Sequence, residues 1–418
     1  MRNTQKKNNA QYHKTKYHTK AVKSSRRSGK VNLFFVFTTT LAISLVVGFL
    51  GIFFMMSKEE QEISVIDFLI HEKEIITETF VDEEPTALSE EPEGWQIETA
   101  DDEVTLLFAG DVLLDDSYAV MSTFWNNGGT IQNAFSANLI QEMQSADIFM
   151  LNNEFTFTDR GEPTPGKTYT FRAKPQNVFV LQEMGADIVS LANNHAYDYG
   201  EISLLDTLDT LDQAGIYRVG AGRNLEEASA TVYAQAGPYK IAFLSATQIE
   251  RNATPDTKGA TEDRPGVFRC NVPDLMVERI QEAKANSDFV VLYIHWGTES
   301  TTVLDELQRK QSELYAQAGV DLIIGDHAHC LQQLAYVNEV PTIFSMGNFW
   351  FNSKTQDTCL IKVYLSDSGM RWQFIPCRQS GCKTIMLEGE EKAQVLDYMR
   401  GLSTGVDIDE EGFITKKQ

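Results

Sequence analysis

The chain has 418 residues, 42% of them hydrophobic, enough for one large core or two ordinary ones. Its 59 Asp and Glu outnumber 36 Lys and Arg, and the resulting net charge of −23 argues against nucleic acid as a partner. Five scattered cysteines exclude a disulfide scaffold, and their odd number leaves at least one unpaired within the chain, although Cys377 and Cys382 could close a small loop.

The charge is distributed unevenly from the start of the chain. Residues 1–30 carry ten Lys and Arg and no acid, and residues 31–56 (VNLFFVFTTTLAISLVVGFLGIFFMM) carry no charge at all. A membrane helix needs about 20 apolar residues, so this run is long enough to span. A cleaved signal peptide would have a shorter apolar region followed by small residues, whereas this one ends in GIFFMMSKEE, the pattern of an uncleaved anchor. The basic flank should stay cytoplasmic, which places residues 57–418 outside the cell membrane as the C-terminal part of a single-pass protein. Residues 57–103 carry 17 Asp and Glu against Lys58 and Lys73 and read as an acidic juxtamembrane linker.

From Val104 the texture changes to strand then helix. The apolar runs VTLLFAG, ADIFMLN, ADIVSLA, KIAFLSA, DFVVLYI and VDLIIGD alternate with amphipathic stretches at 131–145, 175–184, 200–214, 273–286 and 305–318. Alternation of this kind predicts an α/β layered fold. Later segments (LAYVNEVPTIFSMGN, TCLIKVYLSD, MRWQFIPCR) have few helical stretches between them and read as antiparallel strands. The expected architecture is a four-layer αββα sandwich over residues 104–388, closed by a helix at 389–405 and ending in a polar tail at 406–418.

Of seven histidines, the four beyond residue 100 all follow apolar runs: His195 in SLANNHAYDYG, His295 in VVLYIHWGTE, and His327 and His329 in LIIGDHAHC. With Asp111 in LLFAGDVLLDD and Glu154 in FMLNNEF, five segments supply the carboxylate, amide and imidazole donors that a two-metal hydrolytic site needs. Asp111 alone reads equally as a turn or an N-cap, and Glu154 must find a charge partner if it is buried. Asn194 offers a carbonyl oxygen, His195 a proton, and Asp198 a carboxylate able to orient an imidazole. His295 is either a ligand or a core histidine bonded to a backbone carbonyl; Glu299 either supports the site or starts a helix. On an extended segment, His327 and His329 would point the same way, toward one centre or two adjacent metals. Asn348 in FSMGNFWF supports the site or makes a turn. A nucleophile elbow, a P-loop and a dinucleotide fingerprint are all absent, and Cys330 beside His329 leaves a thiol nucleophile as an alternative.

In order and spacing, FAGDVLLD, LNNE, SLANNHAYDYG, YIHWGTE, GVDLIIGDHAHCLQ and FSMGNFWF resemble the CapA family, also called PgsA, of bacterial poly-γ-glutamate capsule biosynthesis proteins, over about residues 104–352. FRAKP at 171–175 is also similar, which suggests Arg172 as an anion contact. That family is similar in turn to calcineurin-like metallophosphoesterases, which hold two metals in an αββα sandwich. The resemblance implies that Asp111 binds the first metal and Glu154 bridges. Asn194, His295 and His327 would complete the second metal, His329 would return to the first, and His195 would be the proton donor. It implies one or two divalent ions (Mn, Zn or Fe) and a metal-activated water as nucleophile. Position 113 is Leu where phosphoesterases commonly have His, so the first metal lacks a ligand unless Asp115, Asp116 or water substitutes. The implied partners are poly-γ-glutamate or another anionic envelope polymer, membrane-bound synthase subunits, and the lipid bilayer. Alternatives are a non-catalytic assembly or export subunit and a phosphoesterase acting on cell-envelope phosphate esters.

Overall fold

Side chains alternate across a strand with a period of two, so a strand covered on both faces sends successive apolar residues into two different cores. The computed structural model describes residues 94–99, 103–249 and 258–417. In it, seven strands form a mixed sheet in the order Trp95–Ile97, Val232–Ala236, Tyr239–Thr247, Phe289–His295, Leu322–Asp326, Val340–Ile343, Leu334–Val337. A second mixed sheet runs Lys383–Met386, Gly369–Ser380, Gln356–Ser366, Val104–Val112, Ile148–Asn153, Ile188–Ser190, Tyr217–Val219, and Asn348–Trp350 also pairs with Val104–Val112.

The alternation divides these strands cleanly. Leu106, Phe108, Ile148, Met150 and Ile188 from the second sheet meet Phe243, Val291, Tyr293, Leu322 and Ile324 from the first in one buried core. Residues of the opposite parity turn outward. Leu107, Phe149 and Val189 pack with Leu139, Leu181, Leu204 and Leu208 of the helices Ala137–Ser145, Phe179–Met184 and Glu201–Ala214. On the far side Leu244, Leu292 and Ile323 pack with Met276, Ile280 and Tyr315 of the helices Asp274–Ala285 and Glu306–Ala318. The chain is an α/β sandwich, and each large apolar side chain so buried contributes roughly 1.5–3 kcal/mol.

Two segments differ from the expectation. Trp95–Ile97, inside the stretch read as linker, adds a parallel strand beside Val232–Ala236, and Trp95 stacks on Tyr217 with ring centroids 4.2 Å apart. The tail contains a hairpin, Val406–Ile408 with Ile414–Lys416, whose Val406, Ile408 and Ile414 join the core between the sheets. All three strands are three residues long, too short to show a period. All five cysteines are free, Cys377 and Cys382 included. Among the described residues no helix is long and apolar enough to cross a membrane. The expected span at 31–56 and the basic segment at 1–30 lie outside those residues.

Candidate metal centre

The core between the sheets is apolar along most of each strand and turns polar where the parallel strands end. Tyr293 and Ile324 face this core, so His295 and Asp326, two residues further on, do too, and they are register partners on adjacent strands. In the second sheet Ile148 and Met150 face it, which carries Asn152 and then Glu154 to the same side. Asp111 has the wrong parity relative to Phe108 and is corrected by a bulge: Phe108 pairs with Met150 but Asp111 pairs with Asn152, so the Val104–Val112 strand holds one extra residue. Gly110 makes this possible, because a Cβ there would lie 2.0 Å from the carbonyl oxygen of Gly347.

The donors gather in two groups around one carboxylate. In the first, His329 Nδ1 lies 3.0 Å from Asp111 Oδ2 and 2.8 Å from Asn348 Oδ1. In the second, His295 Nε2 lies 2.7 Å from Asn194 Oδ1 and 2.9 Å from His327 Nδ1. Between them sits Glu154, fully buried, with neither carboxylate oxygen hydrogen-bonded. Its Oε1 faces the Nε2 atoms of His195, His295 and His329 at 3.8, 3.9 and 4.0 Å. Atoms that share one cation at about 2.1 Å stand roughly 3 Å apart, which is the spacing within each group. The residue sets Asp111–Glu154–His329 and Glu154–His295–His327 each bring three donor atoms within 4.8 Å of one another.

The electrostatics call for positive charge at this place. Burial pushes the Glu154 carboxyl well above its ordinary value, and the charges of Asp111 and Asp326 push it further. Asp326 is raised in the same way, by burial and then by Asp111. Burial also acts against ionised Asp111, but the hydrogen bond and charge of His329 outweigh it and hold that carboxyl low. His295 is kept neutral by burial, its pKa driven down to about 3. Three buried carboxylates, one of them with both oxygens orphaned, and a neutral imidazole form a donor set that fits divalent cations.

His195 is held from the other side. Its Nδ1 lies 2.7 Å from Asp198 Oδ2, its ring stacks on Phe171 at 4.2 Å, and burial lowers its pKa against the opposing pull of Asp198. Lys167, almost fully buried, donates from Nζ to Asp198 Oδ1 and to the backbone oxygen of Asn194. His195 is thus aimed by one carboxylate while its Nε2 points toward Glu154.

Two other expected residues are exposed. Arg172 is exposed, its guanidinium stacked over the Tyr199 ring at 4.4 Å. Glu299 is exposed and lines a cleft of about 380 Å³ with Gln248, Thr298, Asp305 and His327. His327 and His329 do not lie on an extended segment. Both have positive φ, 83° and 53°, so the chain turns sharply after Asp326 and parts the two imidazoles between the two groups. Neither Asp115 nor Asp116 replaces the ligand missing at Leu113. Asp115 accepts from the Ser117 and Arg172 amides, and Asp116 from the Trp125 indole and Asn177. Asn348 stands beside Asp111 and His329 instead, while Leu113 is buried in the helix-facing core. Four contributors carry no mark in the sequence reading: Asn152, which donates to Asp111; Asn193, which donates to Asn152; Lys167; and Asp326. For Asn152 and Asp326 the signal was strand parity carried two residues past the apolar run.

Residues 105–353 match the family described as Bacterial capsule synthesis protein PGA_cap. A capsule biosynthesis protein, CapA, of Bacillus anthracis is 32% identical over 210 residues, covering 49% of this chain and 50% of its own length. The PGA biosynthesis protein CapA of Bacillus subtilis (strain 168) is 31% identical over 207 residues, covering 49% and 53%. The chain therefore spans about half the length of the curated relatives it matches. Among solved structures, TT1561 of Thermus thermophilus aligns with a TM-score of 0.37 at 9% identity, over 62% of this chain and 93% of that one.

Proposed function

The chain belongs to the bacterial capsule synthesis protein family, and from that premise we propose that it serves poly-γ-glutamate capsule synthesis, export or processing through a metal-dependent hydrolytic site of metallophosphoesterase type. The observation that carries the reading is Glu154, buried without a hydrogen-bond donor and ringed by three imidazole nitrogens. Asp111, His329 and Asn348 would hold one cation, Asn194, His295 and His327 a second, with Glu154 between. When bound, Mn, Zn or Fe ions supply Lewis acidity and lower the pKa of water toward neutrality.

The chain's own residues do the rest. Asp198 accepts from His195 Nδ1, fixes the ring and supports its protonated form, and that imidazolium would deliver the Nε2 proton to the leaving group of an amide or phosphate ester, returning to the neutral ring with Nδ1–H still on Asp198. Lys167 balances the Asp198 charge and ties it to the Asn194 backbone. Phe171 covers one face of the imidazole and keeps bulk water from it. Arg172 at the exposed rim suits an anionic polymer. The uncharged run at 31–56 would anchor this domain outside the cell membrane, near the synthase subunits that make the polymer.

The test is metal analysis of the purified protein alongside polymer production in cells carrying His327→Ala and His329→Ala. Bound Mn, Zn or Fe lost in the variants together with polymer supports the reading, and unchanged metal content and polymer in both variants would remove it. A second reading, a non-catalytic assembly or export subunit, is favoured by Leu113, which stands at the sequence position of a phosphoesterase histidine but packs its apolar side chain into the helix-facing core. Normal export by an Asp111→Ala variant supports that reading.

A further inference from the structure

We propose that Asp326 is a positioning residue of the metal site: its carboxylate fixes the ring and tautomer of His295 so that Nε2, and not Nδ1, faces the cation. The inference rests on the metal-site reading above. Asp326 and His295 are register partners at the carboxyl ends of adjacent parallel strands, both fully buried, with Asp326 Oδ1 2.8 Å from His295 Nδ1. The Asp326 oxygen holds the Nδ1 side of the ring, which leaves the lone pair of Nε2 as the one a cation can take. That lone pair is aimed at the Asn194 oxygen and His327 nitrogen 2.7 and 2.9 Å away. The Asn194 oxygen is an acceptor, and His327 Nδ1 is one in the tautomer that leaves its lone pair there; three such atoms in contact would share a cation.

The backbone gives Asp326 little freedom to do anything else. Gly325 brings the strand against its neighbours so closely that a Cβ would lie 2.2 Å from the Phe344 oxygen and 2.5 Å from the Trp296 indole nitrogen. His327 leaves in a left-handed conformation immediately afterwards. Asp326 could instead be a ligand, since Asp111, His295 and Asp326 also offer donor atoms within 4.8 Å. The distances favour the positioning role, because the Asp326 oxygen sits at Nδ1 while Asn194 and His327 gather at Nε2. A carboxylate behind a metal-bound imidazole orients it and raises its basicity, an effect worth roughly 10- to 100-fold in metal affinity.

The experiment uses purified full-length protein, wild type and Asp326→Asn, with Zn²⁺ as the probe. Affinity is read by competition with a chromogenic chelator, capacity by elemental analysis at saturation, and the His295 tautomer from ring ¹⁵N shifts assigned with His295→Ala. The expected result is a roughly 10- to 100-fold loss of affinity at one site, full capacity at saturation, and a changed tautomer balance of His295 in the variant. Affinity within about twofold of wild type, or an unchanged tautomer, overturns the proposal. Capacity reduced by one ion overturns it in favour of Asp326 as a ligand. Wild-type protein that binds no Zn²⁺ removes the metal-site reading itself, and this inference with it. If Asp326→Asn does not fold, as judged by circular dichroism, Asp326→Ser takes the same measurements.

Discussion

A carboxylate as deeply buried as Glu154, with no donor on either oxygen, is a local cost to the metal-free fold, because removing a charge from water is repaid only by a partner. Glu154→Gln keeps the shape and removes the charge. It should raise the thermal midpoint of chelator-treated protein and abolish the further rise that added Mn²⁺ gives the wild type; calorimetry with and without chelator reads both, and a lowered midpoint in the metal-free variant would contradict the assignment. Asp187 illustrates a buried carboxylate with a partner but the wrong balance. Burial pushes its carboxyl up to about 6 from an ordinary 3.8, despite the Phe149 amide it accepts from, and Asp147 adds to the rise. The folded state therefore binds the proton more tightly than the unfolded chain. This contribution is fully present below about pH 4 and is lost as pH rises through about 6. Asp187→Asn should gain roughly 1–2 kcal/mol over wild type at about pH 7.5 and nothing at about pH 4, after discounting two units at about 1.4 kcal/mol each for partial exposure. Denaturant midpoints at the two pH values decide it, and an equal gain at both would sink the explanation. The ligand types were legible at this scale because histidine and carboxylate after apolar runs are rare. Asn152, Asn193 and Lys167 were not, since amides and lysines are common and only their contacts mark them.

At the scale of elements, the apolar runs announced the central strands, and parity then placed the site. What parity could not announce was the bulge at Gly110, which sets Asp111 on the same side as Asn152 and Glu154. A one-residue slip flips a side chain to the other face of a sheet, so Asp111 owes its position to that extra residue. Gly110→Ala would drive a methyl into the Gly347 carbonyl and force Asn348–Trp350 away from Asp111. We expect a loss of about 3 kcal/mol or more in stability, together with weaker metal binding in whatever folds. A variant of wild-type stability and affinity would show that the bulge is not needed. The same reasoning explains the HAH segment. Two histidines two apart suggested an extended chain, but the strand ends at Asp326 and left-handed turns at both histidines separate the rings to centroids 5.9 Å apart. Strain of this kind is a tertiary property with no local signature in Asp-His-Ala-His.

For the molecule as a whole, the site lies where the two sheets meet, and its donors come from both. Asp111, Glu154 and Asn348 belong to the second sheet or its exits, His295, His327 and His329 to the first, and Asn194 follows Ile188–Ser190. A cation held by all of them therefore ties the two sheets together. Such an ion would bind the folded state and find no preformed site in the unfolded chain, so it would stabilise the whole sandwich by mass action. With free Mn²⁺ or Zn²⁺ at about 100 times its dissociation constant, a single site contributes about 2.7 kcal/mol. Two filled sites, each drawing donors from both sheets, should give a larger shift. The measurement is the denaturant midpoint with metal and with chelator, for wild type and for His327→Ala combined with His329→Ala. The wild type should unfold later with metal and the double variant should not, while both should unfold at similar denaturant with chelator, because the two imidazoles contribute mainly through the ions. A metal-dependent midpoint that survives in the double variant would place the cation elsewhere in the fold.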